Sequence, residues 1–293
     1  MKKTVLVTGA NGYIGSHLVR YLCEYEDNYS VVAMDLSDVN IDKRAIIVKM
    51  DMFDQKYDSD LYEKLHCPDI CVHLAWQDGF SHNAISHINN LHLHFNFLTN
   101  LIESGVKQLA VAGSFREYGN RSGKASENVV ITQNNFYSLA KQTLKDALNI
   151  YLKDKEICFQ WLRPFTVYGD DWLNNSIMGK ILQWEKEGKS SFPFTDGNEE
   201  YDYIHINELS RQIAAIISQT EVQGVIDCCS GQPTKLKVMI ENFIESNHLS
   251  IRPEYGAFKT RDYDAKVIYG DYTKIDKILN IYKDAKKGEL VNE

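Results

Sequence analysis

The chain has 293 residues, enough for one large α/β domain or for one domain with a smaller lobe built on it. Its hydrophobic fraction of 44% and charged fraction of 25% are those of a globular protein, which excludes disordered, collagen-like and disulfide-scaffold classes. The formal net charge of -8 repels polyanions, so we expect neither a nucleic-acid nor a membrane partner.

Cysteine usage and hydropathy indicate a cellular location. Six cysteines in a chain of this length resemble small buried side chains of a reducing compartment more than a disulfide framework. The sequence shows neither a cleavable leader nor a long apolar run. Cys67 and Cys71 lack a second thiol pair at ligand spacing, and the histidines between His82 and His94 share no ligand face with a carboxylate. We therefore expect a cytoplasmic protein without a bound metal.

Short β-branched runs alternate with helical patterns through the first half of the chain. Strands are predicted over residues 4–8, 31–35, 45–50, 70–75, 109–113 and 157–162, and helices over 13–25, 85–104 and 136–153. This alternation predicts a doubly wound parallel sheet that is covered on both faces. Later helical patterns, at 174–186, 207–218 and 235–247, are separated by turn-rich stretches. We expect a dinucleotide-type α/β domain over 1–165 and a smaller α/β substrate lobe over 166–293, which does not fold independently and from which the chain can return to the sheet.

A glycine-rich turn follows the first predicted strand. Gly9, Gly12 and Gly15 form a GxxGxxG pattern that opens the first predicted helix. Glycines let the backbone turn tightly, approach a pyrophosphate and pack the helix on the strand, although a tight turn without a ligand also uses them. Asp35 ends the second strand about twenty residues later, where a carboxylate accepts hydrogen bonds from adenosine ribose hydroxyls. A carboxylate also repels a 2'-phosphate, so NAD is favoured and NADP is the alternative.

Tyr137 and Lys141 stand four residues apart in a predicted helix, which places them on one face. A phenol with a pKa near ~10 exchanges protons poorly at neutral pH, and we expect the ammonium to lower that pKa by stabilising the phenolate. Ser114, at the end of the strand over 109–113, can donate a hydrogen bond to the same substrate oxygen. The three residues predict an acid/base site for carbonyl chemistry, with a surface Tyr–Lys pair as the alternative.

These motifs resemble those of the extended short-chain dehydrogenase/reductase family, in its NAD-dependent epimerase/dehydratase branch. The resemblance covers nearly the whole chain and includes residues 51–52, 73–75, 114–119, 162–169 and 202–205. It implies a Rossmann domain, a tightly held dinucleotide, a nucleoside-diphosphate sugar in the cleft and a homodimer built on the helices predicted over 85–104 and 136–153.

The resemblance also assigns roles to residues. It makes Tyr137 the acid/base, Lys141 its orienting partner and Ser114 the carbonyl donor. To the dinucleotide it assigns Gly9, Asn11, Gly12, Tyr13, Ile14, Gly15, Asp35, Asp51, Met52, Leu74, Ala75, Tyr137, Lys141 and Pro164. To the substrate it assigns Ser114, Arg116, Asn175 and Arg261.

The chain departs from the family pattern at several positions. Tyr201, His94 and Thr166 stand where relatives often have an arginine or an asparagine. Phe115 and Arg116 stand where the dehydratases have an acid/base pair, and neither side chain can fill that role at neutral pH. Dehydration is therefore disfavoured.

Two reactions and one non-catalytic role remain after dehydration is set aside. The sequence favours NAD(P)-dependent reduction of the 4-keto group of a nucleotide-linked 4-keto-6-deoxyhexose, with Tyr137 as acid. An NAD-dependent C4 epimerase of a nucleoside-diphosphate sugar is the first alternative, and Asp35 supports it because epimerases keep NAD. A non-catalytic NAD-binding scaffold is the second, and it would ordinarily have lost Tyr137 or Lys141.

Overall fold

The computed structural model describes residues 2–54, 60–125, 133–169, 171, 176–259 and 265–291. The strands are β1 (Lys3–Thr8), β2 (Tyr29–Asp35), β3 (Ile46–Lys49), β4 (Ile70–His73), β5 (Gln108–Ala112), β6 (Gly123–Lys124), β7 (Cys158–Pro164), β8 (Thr166–Tyr168), β9 (Ser191–Pro193), β10 (Glu200–His205), β11 (Gly224–Cys228), β12 (Pro233–Lys235), β13 (Arg252–Glu254) and β14 (Val267–Tyr269). The helices are α1 (Tyr13–Tyr25), α2 (Leu61–Lys64), α3 (Ser86–Asn89), α4 (Leu91–Ser104), α5 (Phe136–Leu152), α6 (Ile177–Lys186), α7 (Ile206–Ile217), α8 (Leu236–Ser246) and α9 (Thr273–Val291).

The main sheet is parallel throughout the described residues. Its strand order is β11-β7-β5-β4-β1-β2-β3. From β1 the chain first adds β2 and β3 on one side and then β4, β5, β7 and β11 on the other, so the strand order reverses between β1 and β4. In doubly wound sheets the ligand crevice lies at that reversal, outside the carboxyl ends of the strands. The α/β Rossmann fold predicted from the sequence is confirmed.

Apolar side chains cover both faces of this sheet. On one face α1, α7 and α9 contribute, among others, Leu18, Ile213 and Ile278, each fully buried. On the other face α4 and α5 contribute Phe97 and Leu144, also fully buried. Each such apolar side chain stabilises the fold by roughly 1.5–3 kcal/mol. The sheet is therefore held rigidly between two layers of helices, and its carboxyl edge is a fixed platform.

The smaller lobe is built on a second sheet, in the order β12-β10-β14-β6, with β8 paired to β10. Helices α6 and α8 and the β9–β13 pair enclose its own apolar core. The chain crosses between the two parts, because β6 joins the small sheet while β11 returns to the main one. The division at residues 165 and 166 stays a prediction about folding units.

Candidate active site

The glycine turn has the geometry that its pattern predicts. Gly9 has a φ of +69°, and a Cβ atom on it would lie 2.7 Å from the main-chain nitrogen of Ala75. A Cβ atom on Gly15 would collide with the carbonyl oxygen of Gly9. The turn from β1 into α1 is thus pressed against the end of β4, and it leaves a cradle that side chains larger than hydrogen would fill. Such a cradle at a helix N-terminus fits the pyrophosphate of a dinucleotide.

Asp35 lies beside this turn at the end of β2. Its Oδ2 accepts a hydrogen bond from the Asn11 main-chain nitrogen at 3.0 Å, and its Oδ1 accepts one from Leu36 at 2.7 Å. Asn11 is itself fixed by the main-chain nitrogen of Asn40, which donates to its Oδ1 at 2.8 Å. The carboxylate is therefore held in place, and each of its oxygens can accept a further hydrogen bond.

Ser114, Tyr137 and Lys141 come together at the carboxyl ends of β5 and β7. Ser114 precedes a 3-10 turn over Phe115–Tyr118 and shares a hydrogen bond with Tyr137, on α5. Lys141, one turn further along α5, donates from its Nζ to the carbonyl oxygen of Ala112 at 2.5 Å. That Nζ lies 5.9 Å from the centre of the Tyr137 ring. The structure thus joins the three residues that the sequence predicts to be catalytic.

The pKa of Tyr137 differs from the sequence expectation. Burial raises the pKa of this phenol to about 12, although the hydrogen bond with Ser114 acts in the opposite direction. Burial also lowers the pKa of Lys141 to about 7. Desolvation of the phenolate therefore outweighs the stabilisation that a neighbouring ammonium was expected to give. Tyr137 is therefore protonated at neutral pH.

An aromatic cluster surrounds this pair. The Lys141 Nζ lies 3.7 Å from the centre of the Trp76 ring, and the Trp76 ring packs edge-on against Tyr137. The indole nitrogen of Trp76 donates to His87 Nδ1 at 3.1 Å. The carbonyl oxygen of His82 accepts from the Tyr137 main-chain nitrogen at 2.9 Å. These contacts come from a segment far from α5 in the sequence, so only the folded chain shows that Trp76, His82 and His87 enclose the catalytic helix.

Behind Lys141 lies a buried pair of imidazoles. His73 Nδ1 is 2.8 Å from the Thr8 hydroxyl, and His73 Nε2 is 2.9 Å from His94 Nδ1. His94 also stacks on Trp76 with the ring centres 4.4 Å apart. Burial lowers the pKa of His73 to about 3 and that of His94 well below its ordinary value, so both rings are neutral. His73 is 1% exposed and is thus part of the core of the sheet.

The other residues assigned from sequence follow the carboxyl ends of the main-sheet strands, with two exceptions. Asp51 and Met52 follow β3; Leu74 and Ala75 follow β4; Pro164 ends β7. Asp51 is exposed, whereas Met52 packs in the core under the sheet. Arg116 places its guanidinium 5.2 Å from the Phe115 ring. The exceptions, Asn175 and Arg261, lie outside the described residues. The contacts of all these side chains with ligands stay predictions.

The described part of the chain can also be compared with a membrane span and with a metal centre. None of its helices combines the length and the apolar character that a membrane crossing needs. No three of its histidine, cysteine, aspartate and glutamate side chains group as metal ligands would.

Comparison with known proteins agrees with this geometry. The model of the NAD dependent epimerase/dehydratase family matches residues 5–229. The dTDP-6-deoxy-L-talose 4-dehydrogenase (NAD(+)) of Aggregatibacter actinomycetemcomitans is 36% identical over 270 residues, which cover 91% of this chain and 98% of that protein. A solved UDP-N-acetylglucosamine 4-epimerase from Methanobrevibacter ruminantium superposes with a TM-score of 0.80 at 22% identity, covering 95% of this chain and 92% of the other. A UDP-glucuronic acid 4-epimerase from Bacillus cereus gives a TM-score of 0.77 at 22% identity, covering 94% and 93%.

The fold and the Ser–Tyr–Lys site define an oxidoreductase of the extended short-chain dehydrogenase/reductase type. The chain belongs to the NAD-dependent epimerase/dehydratase family. The predictions of family, enzyme class and NAD as cofactor are thereby confirmed.

Proposed function

We propose that this enzyme interconverts the 4-keto and 4-hydroxyl groups of a nucleotide-linked 6-deoxyhexose, and that it works as a 4-keto reductase. The observation that carries the proposal is the convergence of Ser114, Tyr137 and Lys141 beside the glycine turn. The substrate class is supported by the 36% identical relative, whose name gives oxidation at C4 of a dTDP-linked 6-deoxy sugar. Ketone reduction is the reverse of that oxidation.

The chemistry assigned to this chain is proton delivery to the ketone oxygen. NADH, when bound, supplies the hydride that C4 receives. Ser114 donates a hydrogen bond to the ketone oxygen, and Tyr137 transfers its phenolic proton to that oxygen as the carbonyl becomes an alcohol. With a pKa of about 12, the Tyr137 phenol holds this proton at neutral pH. Phe115 stacks on Phe165 with the ring centres 5.4 Å apart. Because a phenyl ring has no transferable proton, the position after Ser114 supplies no acid for dehydration.

A turnover assay tests this proposal. The purified protein is expected to oxidise NADH in the presence of a dTDP-4-keto-6-deoxyhexose. Tyr137→Phe, which removes the transferable proton, is expected to lower kcat by about 10²–10⁴-fold. Tyr151→Phe is the matched control, because Tyr151 lies on the same helix but donates to Glu103 at the surface.

Other results of the same assay would replace the proposal. Conversion of UDP-glucose into UDP-galactose without added nicotinamide would make the protein an epimerase. Binding of NAD without turnover of either sugar nucleotide, and without an effect of Tyr137→Phe, would make it a scaffold.

We further propose that the diphosphate of the sugar nucleotide is held by Asn175 and Arg261, where a guanidinium suits phosphate oxygens.

We also infer a homodimer that pairs α4 and α5 with their symmetry mates. The outer face of α5 carries Phe136, Leu139 and Ile150, which are 39%, 43% and 79% exposed. A cytoplasmic location is supported by the six cysteines, all of which are free thiols in the structure.

A further inference from the structure

A buried carboxylate lies directly behind Ser114. Glu117 is completely inaccessible to solvent, and its Oε1 accepts a hydrogen bond from the Ser114 main-chain nitrogen at 2.6 Å. The Glu117 main-chain nitrogen in turn donates to the Ser114 carbonyl oxygen at 3.0 Å, and the Ser114 Oγ accepts from the main chain of the turn, at 3.2 Å from the Arg116 nitrogen. This reciprocal capping box fixes the backbone of Ser114 at the start of the 3-10 turn. The direction of the Ser114 side chain therefore depends on Glu117.

The carboxylate is fixed from strand β7 as well. The indole nitrogen of Trp161 donates to Glu117 Oε2 at 3.0 Å, and the Arg163 Nε donates to the same oxygen at 3.0 Å. A second Arg163 nitrogen lies 3.0 Å from it. A Cβ atom on Gly113 would collide with both the Trp161 indole and Glu117. Glu117 is therefore held tightly by residues of β7, and its carboxylate in turn fixes the main chain of Ser114.

The rest of this network compensates the buried charge. The Arg163 guanidinium, 4% exposed, lies 4.4 Å from the centre of the Tyr118 ring. The Tyr118 hydroxyl donates to Asp227 on β11 at 2.8 Å. A buried ion pair of this kind is weak evidence for stability, because desolvation of both charges offsets their attraction. Packing alone would be served as well by apolar side chains, and the network ends on a residue of the proposed active site.

We propose that Glu117 is a positioning residue that holds the Ser114 hydroxyl at the substrate oxygen and keeps a fixed negative charge behind Tyr137 and Lys141. This inference rests on the proposed function, since Ser114 has a role only if the Tyr–Lys pair acts on a carbonyl. It adds a residue that does not touch the substrate.

The charge of Glu117 gives the proposal a second readout. It raises the pKa of Tyr137 and also that of Lys141. The charged or titratable groups around Glu117 are Arg163 on β7, Asp227 on β11, Arg116 and Tyr118 on its own turn, and Tyr137, Lys141 and Lys145 on α5. If the carboxylate becomes an amide, the pKa of Tyr137 and that of Lys141 both fall. The limb of the pH profile that requires deprotonated Tyr137, measured in the direction of alcohol oxidation, then moves to lower pH.

The experiment compares Glu117→Gln, Glu117→Asp and Ser114→Ala, alone and combined. Both Glu117 variants are expected to lower kcat by about 10–100-fold with little change in KM, because Ser114 is displaced at the transition state. Only Glu117→Gln is expected to shift the oxidation limb to lower pH. In the Ser114→Ala background, Glu117→Gln should lower kcat by less than about 3-fold further, because both changes act through one hydroxyl.

Glu26→Gln is the matched control. Glu26 is also a buried glutamate that pairs with a lysine, Lys286 at 2.9 Å, and accepts a bond from a tyrosine, Tyr282. Glu26 joins α1 to α9, and Glu26→Gln is expected to change thermal stability alone.

A kcat and a pH profile like those of the wild type in the Glu117 variants would overturn the proposal, and so would fully additive losses in the double variant. Loss of activity in Tyr137→Phe alongside either result would leave the proposed function standing. If Glu117→Gln is inactive, the activity of Glu117→Asp and the binding of NADH separate an effect on catalysis from a folding defect. The dissociation constant for NADH must then stay within about 3-fold of the wild-type value.

Discussion

At the scale of single residues, we expect the choice of coenzyme to depend on Asp35. Its carboxylate is anchored by two main-chain donors, from Asn11 and Leu36, at the place where the sequence predicts the adenosine ribose. A carboxylate fixed in this way can accept hydrogen bonds from ribose hydroxyl groups, and it repels a phosphate on the 2'-oxygen. We therefore expect the preference for NAD to depend mainly on this one side chain.

Replacing Asp35 with serine should reverse part of this preference. We expect Asp35→Ser to weaken NADH binding by about 10–100-fold, since bonds to a charged acceptor contribute about 1.5–3 kcal/mol, and to strengthen NADPH binding. Fluorescence titration of both coenzymes measures the ratio of the two dissociation constants. Asp69→Ser is the control: its carboxylate also accepts a main-chain nitrogen, that of Thr4 at 2.7 Å, but at the opposite end of β4. An unchanged ratio in Asp35→Ser would show that the ribose lies elsewhere.

Local motifs predict which residues form the candidate site but not the electrostatics of that site. The glycine turn, Asp35 and the Tyr137–Lys141 spacing are visible in the sequence because each is set by a few neighbouring residues. The raised pKa of Tyr137 is not visible, because it results from burial by segments far along the chain. The role of Glu117 is hidden for the same reason, since Trp161 and Arg163 reach it from another strand.

At the scale of secondary-structure elements, α5 serves two surfaces. One face carries Lys141 and Leu144 toward the sheet, while the opposite face presents Phe136, Leu139 and Ile150 to solvent. Exposed apolar residues on one face of a long helix suit a subunit contact, and we propose that this face provides one. The helix that positions the catalytic pair is thus also the one proposed to pair two subunits.

A charge placed on that stripe should separate the subunits. We expect Ile150→Glu to raise the dimer dissociation constant by at least about 100-fold, because an unpaired carboxylate would be desolvated in the interface. Light scattering coupled to gel filtration gives the mass of each form. Val238→Glu is the control, since this valine is also exposed, at 42%, but lies on α8. A wild-type protein that is monomeric, or an Ile150→Glu dimer of unchanged affinity, would contradict the proposed interface.

Element boundaries were predictable where the signals were local. The helix predicted over 13–25 has those bounds, because it starts at the glycine turn and its apolar residues recur with helical spacing. The helix predicted over 85–104 is instead divided at Asn90 into α3 and α4. Asn90 donates to the Gln77 side chain at 2.9 Å, and His87 binds Trp76, so contacts from the preceding loop shape this region. The return of β11 to the main sheet depends on tertiary pairing, which no local pattern reveals.

At the scale of the whole molecule, buried titratable groups couple folding to pH. An imidazole whose folded pKa lies below its unfolded value stabilises the fold above that unfolded value, near ~6.5, and the contribution is lost as the pH falls. His73 and His94 are both of this kind. Asp227 acts in the opposite direction: burial raises its pKa to about 6, so it binds a proton more tightly in the folded state and stabilises the fold as the pH falls through that value.

Acidification should therefore weaken the protein through the histidine pair, against a smaller stabilising effect of Asp227. Between pH ~6.5 and pH ~5, protonation of the unfolded chain costs the folded state about 2 kcal/mol for each buried imidazole, which exceeds the gain from Asp227 alone. Urea unfolding at the two ends of this range measures the loss. His94→Asn keeps an acceptor for His73 and is expected to reduce the loss by about 2 kcal/mol. The exposed His248, replaced in the same way, should leave it unchanged. An equal loss in the wild type and in His94→Asn would mean that His94 takes up a proton as readily in the folded protein as in the unfolded chain, and its charged ring would then disfavour the Lys141 ammonium.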